Sequence, residues 1–163
     1  MTLQQSPHPP VLHITTFGHK NGPLDPAPDL YFDLRGLPNP PKALRIEARR
    51  TGLLGPLQEW LFSIVPVRQK FQEVRQCILQ YLHEAEAKGV RCVSVGAGCN
   101  LGRNRSVTVA EALAALNWDR WQVVVHHRDR YLPHAGKDLP LNLSSRLYES
   151  PITSESSGLN TPV

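Results

Sequence analysis

The stretch Val90–Leu116, VRCVSVGAGCNLGRNRSVTVAEALAAL, constrains the fold more than any other part of the sequence. Val93, Val95 and Ala97 alternate with Cys92, Ser94 and Gly96, the two-residue period of a strand, and the β-branched residues supply stiffness. The period then changes: Val109, Leu113 and Leu116 fall at helical spacing, predicting a helix that starts between Asn104 and Thr108. Thr108 and Glu111 have the spacing of a capping box. A strand, a loop and a helix in this order define an α/β unit.

The loop carries the chemistry. Gly96, Gly98 and Gly102 free the backbone to turn tightly, and Arg103 and Arg105 bring charge to a helix N-terminus. Open N–H groups, the positive end of the helix dipole and a guanidinium able to hold two oxygens together attract a phosphate. The plain alternative is a connection with solvated arginines. No GxxxxGK[ST] pattern occurs, so ATP hydrolysis of the P-loop kind has no support.

Around this unit the pattern predicts three further strands, over Val11–Phe17, Asp29–Arg35 and Arg120–His127. A short basic helix is expected over Lys42–Arg50, a second from Gly55, and a long one from Pro66 with Val67, Phe71, Val74, Ile78, Leu82 and Ala85 on one face. Lys88 and Gly89 close it. The reading is therefore α/β: a single domain over 11–131, with a sheet of about four strands, parallel or mixed, and flanking helices. Each strand ends in a polar or glycine-rich turn (FGHK, DLRGLPNP, GCNLGRNRS, HHRD), and in open α/β sheets ligands gather at such ends. A parallel arrangement brings His19, Arg35, Asn39, Arg105, His127 and Arg128 to one cleft, whereas a mixed sheet scatters them. The helix-free first connection leaves that choice open. Residues 1–10 and 132–163 are polar, Pro- or Ser-rich and aperiodic, and are expected to be disordered.

The formal charge of +4 and pI near 9.2 favour acidic partners. Three cysteines, Cys77, Cys92 and Cys99, make no disulfide framework and point to a reducing, cytoplasmic setting. No run approaches membrane-spanning length, so a soluble protein with no membrane partner is expected.

Several separated motifs agree in order and spacing with one family. ITTFGHKNGPLDPAPDLYFDLRGLPNP, RRTG, VSVGAGCNLGRNRSVTVAEALA and VVVHHRD together resemble the C-terminal domain of the RNase adapter protein RapZ family, over roughly residues 11–130. The resemblance implies a domain similar to a phosphofructokinase subdomain, an anion pocket at the glycine-containing loop, sensing of an amino-sugar phosphate and RNA binding. It also implies a preceding P-loop kinase-like domain, absent from this sequence, so the reading is of a stand-alone domain. The family's GCTGGKHRSV falls on Gly98 to Val107. Gly98, Cys99, Gly102, Arg105, Ser106 and Val107 match it, while Asn100 replaces Thr, Leu101 replaces Gly, and Arg103 and Asn104 replace a Lys-His pair. Pro41 stands where the family tends to place His after PNP. Gly98, Asn100, Leu101, Gly102, Arg103, Asn104, Arg105 and Ser106 are thus the implied ligand-binding loop.

Two rivals remain. Cys99 and Arg105 also fit the C-x5-R-S spacing of the cysteine phosphatases, in which a thiolate lies below a cradle of N–H groups, with Asp25, Asp33 or Asp129 as a general acid. Against it, Gly98 stands where that loop normally has His, and a cysteine at a strand end is often simply buried. The second rival is a plain RNA-binding module, with Lys42, Arg45, Arg49 and Arg50 as an RNA-facing patch; a solvated helix face explains the same charges. Only 7% of residues are aromatic, so base-stacking platforms are not evident. His126 and His127 are adjacent on a strand and face opposite sides, which argues against a shared metal ion. No metal or other cofactor is expected. The leading reading is a non-enzymatic domain that binds a phosphorylated small molecule and acts as a sensor or adapter.

Overall fold

All four strands form and run in one direction. The computed structural model describes residues 8–133. The segments expected to be disordered, 1–10 and 132–163, lie outside the described residues except at 8–10 and 132–133. Strands β1 (Val11–Gly18), β2 (Leu30–Asp33), β3 (Cys92–Cys99) and β4 (Gln122–His127) make one sheet in the order β2-β3-β1-β4. Every neighbouring pair is parallel, which removes the mixed-sheet alternative. Strand β2 is shorter than the pattern predicts because the Asp33 carboxylate accepts the Arg35 backbone N–H at 3.0 Å and turns the chain. Strand β4 starts late, at Gln122, since Trp121 leaves the ladder to be buried, with its Nε1–H donating to Glu86 Oε1 at 2.6 Å.

The helices are α1 (Lys42–Thr51), α2 (Gly55–Phe62), α3 (Val65–Ala87) and α4 (Arg105–Ala114). From β2 to β3 and from β3 to β4 the chain moves one way across the sheet, and from β1 to β2 it moves the other. Right-handed crossovers therefore place the helices on one face and the 19–29 connection on the other. On the helical face Leu12, Ile14, Val93, Val95 and Ala97 pack with Val74, Ile78 and Leu82 of α3 and Val109 and Leu113 of α4. On the opposite face a helix is unnecessary because β3 presents Gly96. A Cβ there would lie 2.9 Å from Pro28 Cγ and 3.0 Å from Leu24 Cδ1, so the connection runs directly on bare strand backbone. Asp29 fastens it, its Oδ2 accepting the Ser94 N–H at 2.8 Å.

Helix α4 begins earlier than a Thr108 cap requires. Its N-cap is Asn104, which makes no side-chain cap bond, and Thr108 stands inside the helix with its hydroxyl buried and without a hydrogen-bond partner. The capping box does not form. Glu111 turns instead to His127.

Candidate anion site

Because the sheet is wholly parallel, the turns after all four strands share one edge. The loop between β3 and α4 is fixed there from below, the Lys20 N–H donating to Asn100 O at 3.1 Å. A cavity of about 120 Å³ opens between this loop, the β2–α1 connection and α1. Among the described residues its charged walls are Lys20, Arg45, Arg103 and Arg105. Asn39, Asn100 and Asn104 add amides, and Cys99 and Leu101 complete the wall. Arg105 is 93% buried, yet its charge is solvated by the protein: Nη1 donates to the carbonyl oxygens of Arg35 and Leu37, each at 2.9 Å. These bonds tie the β2–α1 connection to the start of α4. Arg45 is held similarly, Nε donating to Pro40 O at 2.9 Å. Four cations around one small space raise the local potential and favour an anion between them. The uncapped N-terminus of α4 adds to the same field. A larger open groove, about 1000 Å³, follows α3 past Gln69, Gln72 and Gln76, but it lies on one helix and gathers no converging charge.

Other residues expected at the strand ends reach the same edge without lining this cavity. Arg35 forms a two-pronged pair with Asp33, with bonds of 2.6 to 3.1 Å, and that pairing holds the Asp33 carboxyl down at about 2. His19 Nε2 meets the Tyr31 hydroxyl at 2.5 Å and Asp33 at 3.8 Å, on the face away from the helices. Burial, and then the Asp33 charge, push the Tyr31 hydroxyl up. Arg128 is bound to Asp129 and to the carbonyl oxygens of Pro23 and Gly22. Asp129 is 2% exposed and accepts the Gly18 N–H at 2.7 Å. Its burial favours the neutral form, but the bonds from Arg128 and Gly18 outweigh that, so its carboxyl titrates below the ordinary range. His127 bridges Thr16 Oγ1, at 2.8 Å, and Glu111 Oε1, at 2.6 Å, joining β1, β4 and α4. Gly98 packs beneath the Phe17 and His19 rings and Ser106 is fully buried.

Of the residues weighed for phosphatase chemistry, Cys99 and Arg105 line the cavity but none of the candidate general acids Asp25, Asp33 and Asp129 does. Cys99 is buried, with Sγ 3.2 Å from Ser106 Oγ. The basic helix also divides. Arg45 faces the cavity, Arg49 lines a neighbouring one, and Arg50 pairs with Glu47 at 2.7 Å. Lys20 also lines the cavity, and its place just after β1 at the shared edge is the signal in the sequence that could have found it. Helical periodicity alone does not reveal that Arg45, within the possible RNA-facing patch, lines this cavity.

A basic cavity at the carboxyl edge of a parallel α/β sheet is the candidate site of this domain. Residues 10–131 match the model of the RapZ C-terminal domain, and the chain belongs to that family. It is 34% identical over 128 residues to a nucleotide-binding protein of Burkholderia multivorans, which covers 78% of this chain and 41% of that protein. It is also 34% identical to nucleotide-binding proteins of Thermosipho africanus, over 73% of this chain and 42% of that protein, and of Pseudomonas fluorescens, over 79% and 45%. The chain thus spans less than half the length of these relatives. Among the described residues no helix is long and apolar enough to cross a membrane.

Proposed function

We propose that the domain binds a phosphorylated small molecule in the cavity formed by Lys20, Arg45, Arg103 and Arg105 and acts as a sensing or adapter module rather than a catalyst. The observation that carries this reading is the convergence of four cations, from three parts of the chain, on one small cavity at the carboxyl edge of the sheet. Arg103 and Arg105 can each present a fork to phosphate oxygens, and Lys20 adds a point charge. The three asparagines offer donors and acceptors to sugar hydroxyl or amino groups, which suits an amino-sugar phosphate. The relatives' names nominate nucleotides as a second ligand group for the same cavity. RNA binding through α1 has weaker support, because Arg45 and Arg49 line cavities and Arg50 is paired with Glu47.

A thermal-shift screen of sugar phosphates, nucleotides, inorganic anions and their unphosphorylated counterparts tests the reading. A ligand selective for the folded state at one hundred times its Kd stabilises by about 2.7 kcal/mol. The proposal expects a rise in Tm with at least one phosphorylated compound and none with its unphosphorylated counterpart. No response to any phosphorylated compound, or equal responses to both forms, overturns it.

A further inference from the structure

The cavity at the carboxyl edge is small and graded in depth. Its volume of about 120 Å³ leaves room for about four water molecules at about 30 Å³ each, well below the roughly 300–1,000 Å³ of pockets that enclose a whole drug-sized ligand. Cys99 and Arg105 in its lining are buried, Leu101 is half-buried, and Lys20, Asn39 and Asn100 are exposed. Arg105 spends Nη1 on the Arg35 and Leu37 carbonyls, while among the described residues its Nε and Nη2 bond to nothing and are not sealed from solvent. They present open donors at the floor. Above them Leu101 is the one large apolar side chain among the described lining residues. It offers a ligand no hydrogen bond and sets only how much width remains. Its backbone cannot retreat, because it lies on β1: a Cβ on Gly18 would come within 2.3 Å of the Leu101 carbonyl carbon and 2.7 Å of its Cα.

We infer that Leu101 determines specificity for the carbon that bears the phosphoryl group, and that the ligand is a phosphate monoester of a primary carbon. This rests on the reading of the cavity as a phosphate site and narrows it to a chemical class. Phosphorus and its terminal oxygens fill the space above Arg105, and the ester oxygen and its carbon then pass Leu101 on the way out. A primary carbon brings one further substituent past that side chain and turns the rest of the ligand towards solvent, where Asn39 and Asn100 stand at the rim. A secondary carbon, branched or part of a ring, brings two substituents to the same level and meets Leu101. In an apolar pocket the fit of a single carbon typically discriminates by about 10- to 200-fold.

Calorimetric titration of the full chain with inorganic phosphate, glycerol 3-phosphate and glycerol 2-phosphate is the test. The two esters are isomers of equal charge that carry the phosphoryl group on a primary and on a secondary carbon. The expected result is glycerol 3-phosphate binding about tenfold or more tighter than glycerol 2-phosphate. In Leu101→Ala, which removes Cγ and both Cδ atoms, that ratio should fall to about twofold or less, chiefly because the 2-phosphate tightens. In Leu101→Met, which keeps the volume, the ratio should persist. Should Leu101→Ala fail to unfold cooperatively, Leu101→Val serves, with a smaller fall of the same sign expected. Lys20→Ala should weaken phosphate and both esters. If phosphate binds in a Lys20-dependent way but the isomers bind alike, or neither ester binds, or the ratio survives the shortening of Leu101, the inference is wrong and the reading of the cavity stands. If phosphate does not bind, or does not respond to Lys20→Ala, the reading of the cavity fails and this inference fails with it.

Discussion

Gly102 rests against Gly18: a Cβ on Gly102 would lie 2.5 Å from the Gly18 nitrogen, and a Cβ on Gly18 would lie 2.3 Å from the Leu101 carbonyl carbon. The anion loop therefore lies on the last residue of β1, backbone against backbone. Gly102 has φ of 70°, so a side chain there also meets left-handed strain. Gly18, at φ −103° and ψ 128°, is in ordinary extended geometry, and its constraint is steric alone.

Gly18→Ala accordingly pushes the loop off the sheet edge. We expect a loss of about 1–3 kcal/mol in stability together with weakened phosphate binding. Gly36→Ala, which meets nothing within 4 Å, is the control and should be neutral or stabilising by less than about 1 kcal/mol. Denaturant unfolding of both variants checks this.

Asp129 and Asp33 give the domain an acid-sensitive component. Both carboxyls titrate lower in the folded state, Asp33 at about 2. A lowered folded pKa means that the unfolded chain takes up protons first as pH falls. The contribution is thus fully present above the unfolded carboxylate value, about 3.9, and is lost as pH falls through the folded one. Asp33 contributes little, its side chain being 42% exposed and its charge screened. Asp129 is buried and dominates. In Asp129→Asn the fall in stability between about pH 4 and pH 2 should be shallower than in the parent, as measured by denaturant unfolding at each pH.

His127 holds the sheet to α4 rather than lining the anion cavity. His127→Ala leaves Thr16 Oγ1 without this partner in a fully buried position, and we expect about 1–3 kcal/mol of destabilisation. Phosphate affinity should change less than about twofold, since the loop keeps its bonds to Lys20 and Arg105 keeps its own. A large loss of affinity in a variant that unfolds with unchanged cooperativity would place His127 in the site after all.

The order of elements was legible because periodicity reports burial, and burial decides strand and helix. The α3 stripe of Val67, Val74, Ile78, Leu82 and Ala85 is buried as its spacing predicts, with Phe71 partly so. Strand direction was not legible: a helix-free connection is unusual for a parallel pair, and only the close fit of Pro28 and Leu24 on Gly96 explains it. Within the site, the loop residues were visible as a motif. The pairing of Arg35 with Asp33 and of Arg128 with Asp129 was not, since it depends on which side chains the turns bring into reach. Lys20 stood in the FGHK turn without a role of its own, and the parallel topology sets it beside Asn100.

Cys99 separates a binding site from a catalytic one. Cys99→Ser keeps a polar atom near Ser106 Oγ at 3.2 Å and barely alters volume, so ligand affinity should stay within about threefold. A phosphatase would keep binding in this variant but lose turnover. Phosphoester hydrolysis by the parent chain, abolished by Cys99→Ser, would contradict the sensing role.

Backbone amide shifts on addition of inorganic phosphate test the central claim most directly, because they locate the anion without presuming a ligand. The account predicts saturable shifts greatest at Asn100–Arg105 and at Lys20, Asn39 and Arg45, with small changes at Lys42 and Arg50 on the outer part of α1. The affinity should fall as salt is added. Shifts confined to α1, or none at the β3–α4 loop when the anion is saturating, would contradict it.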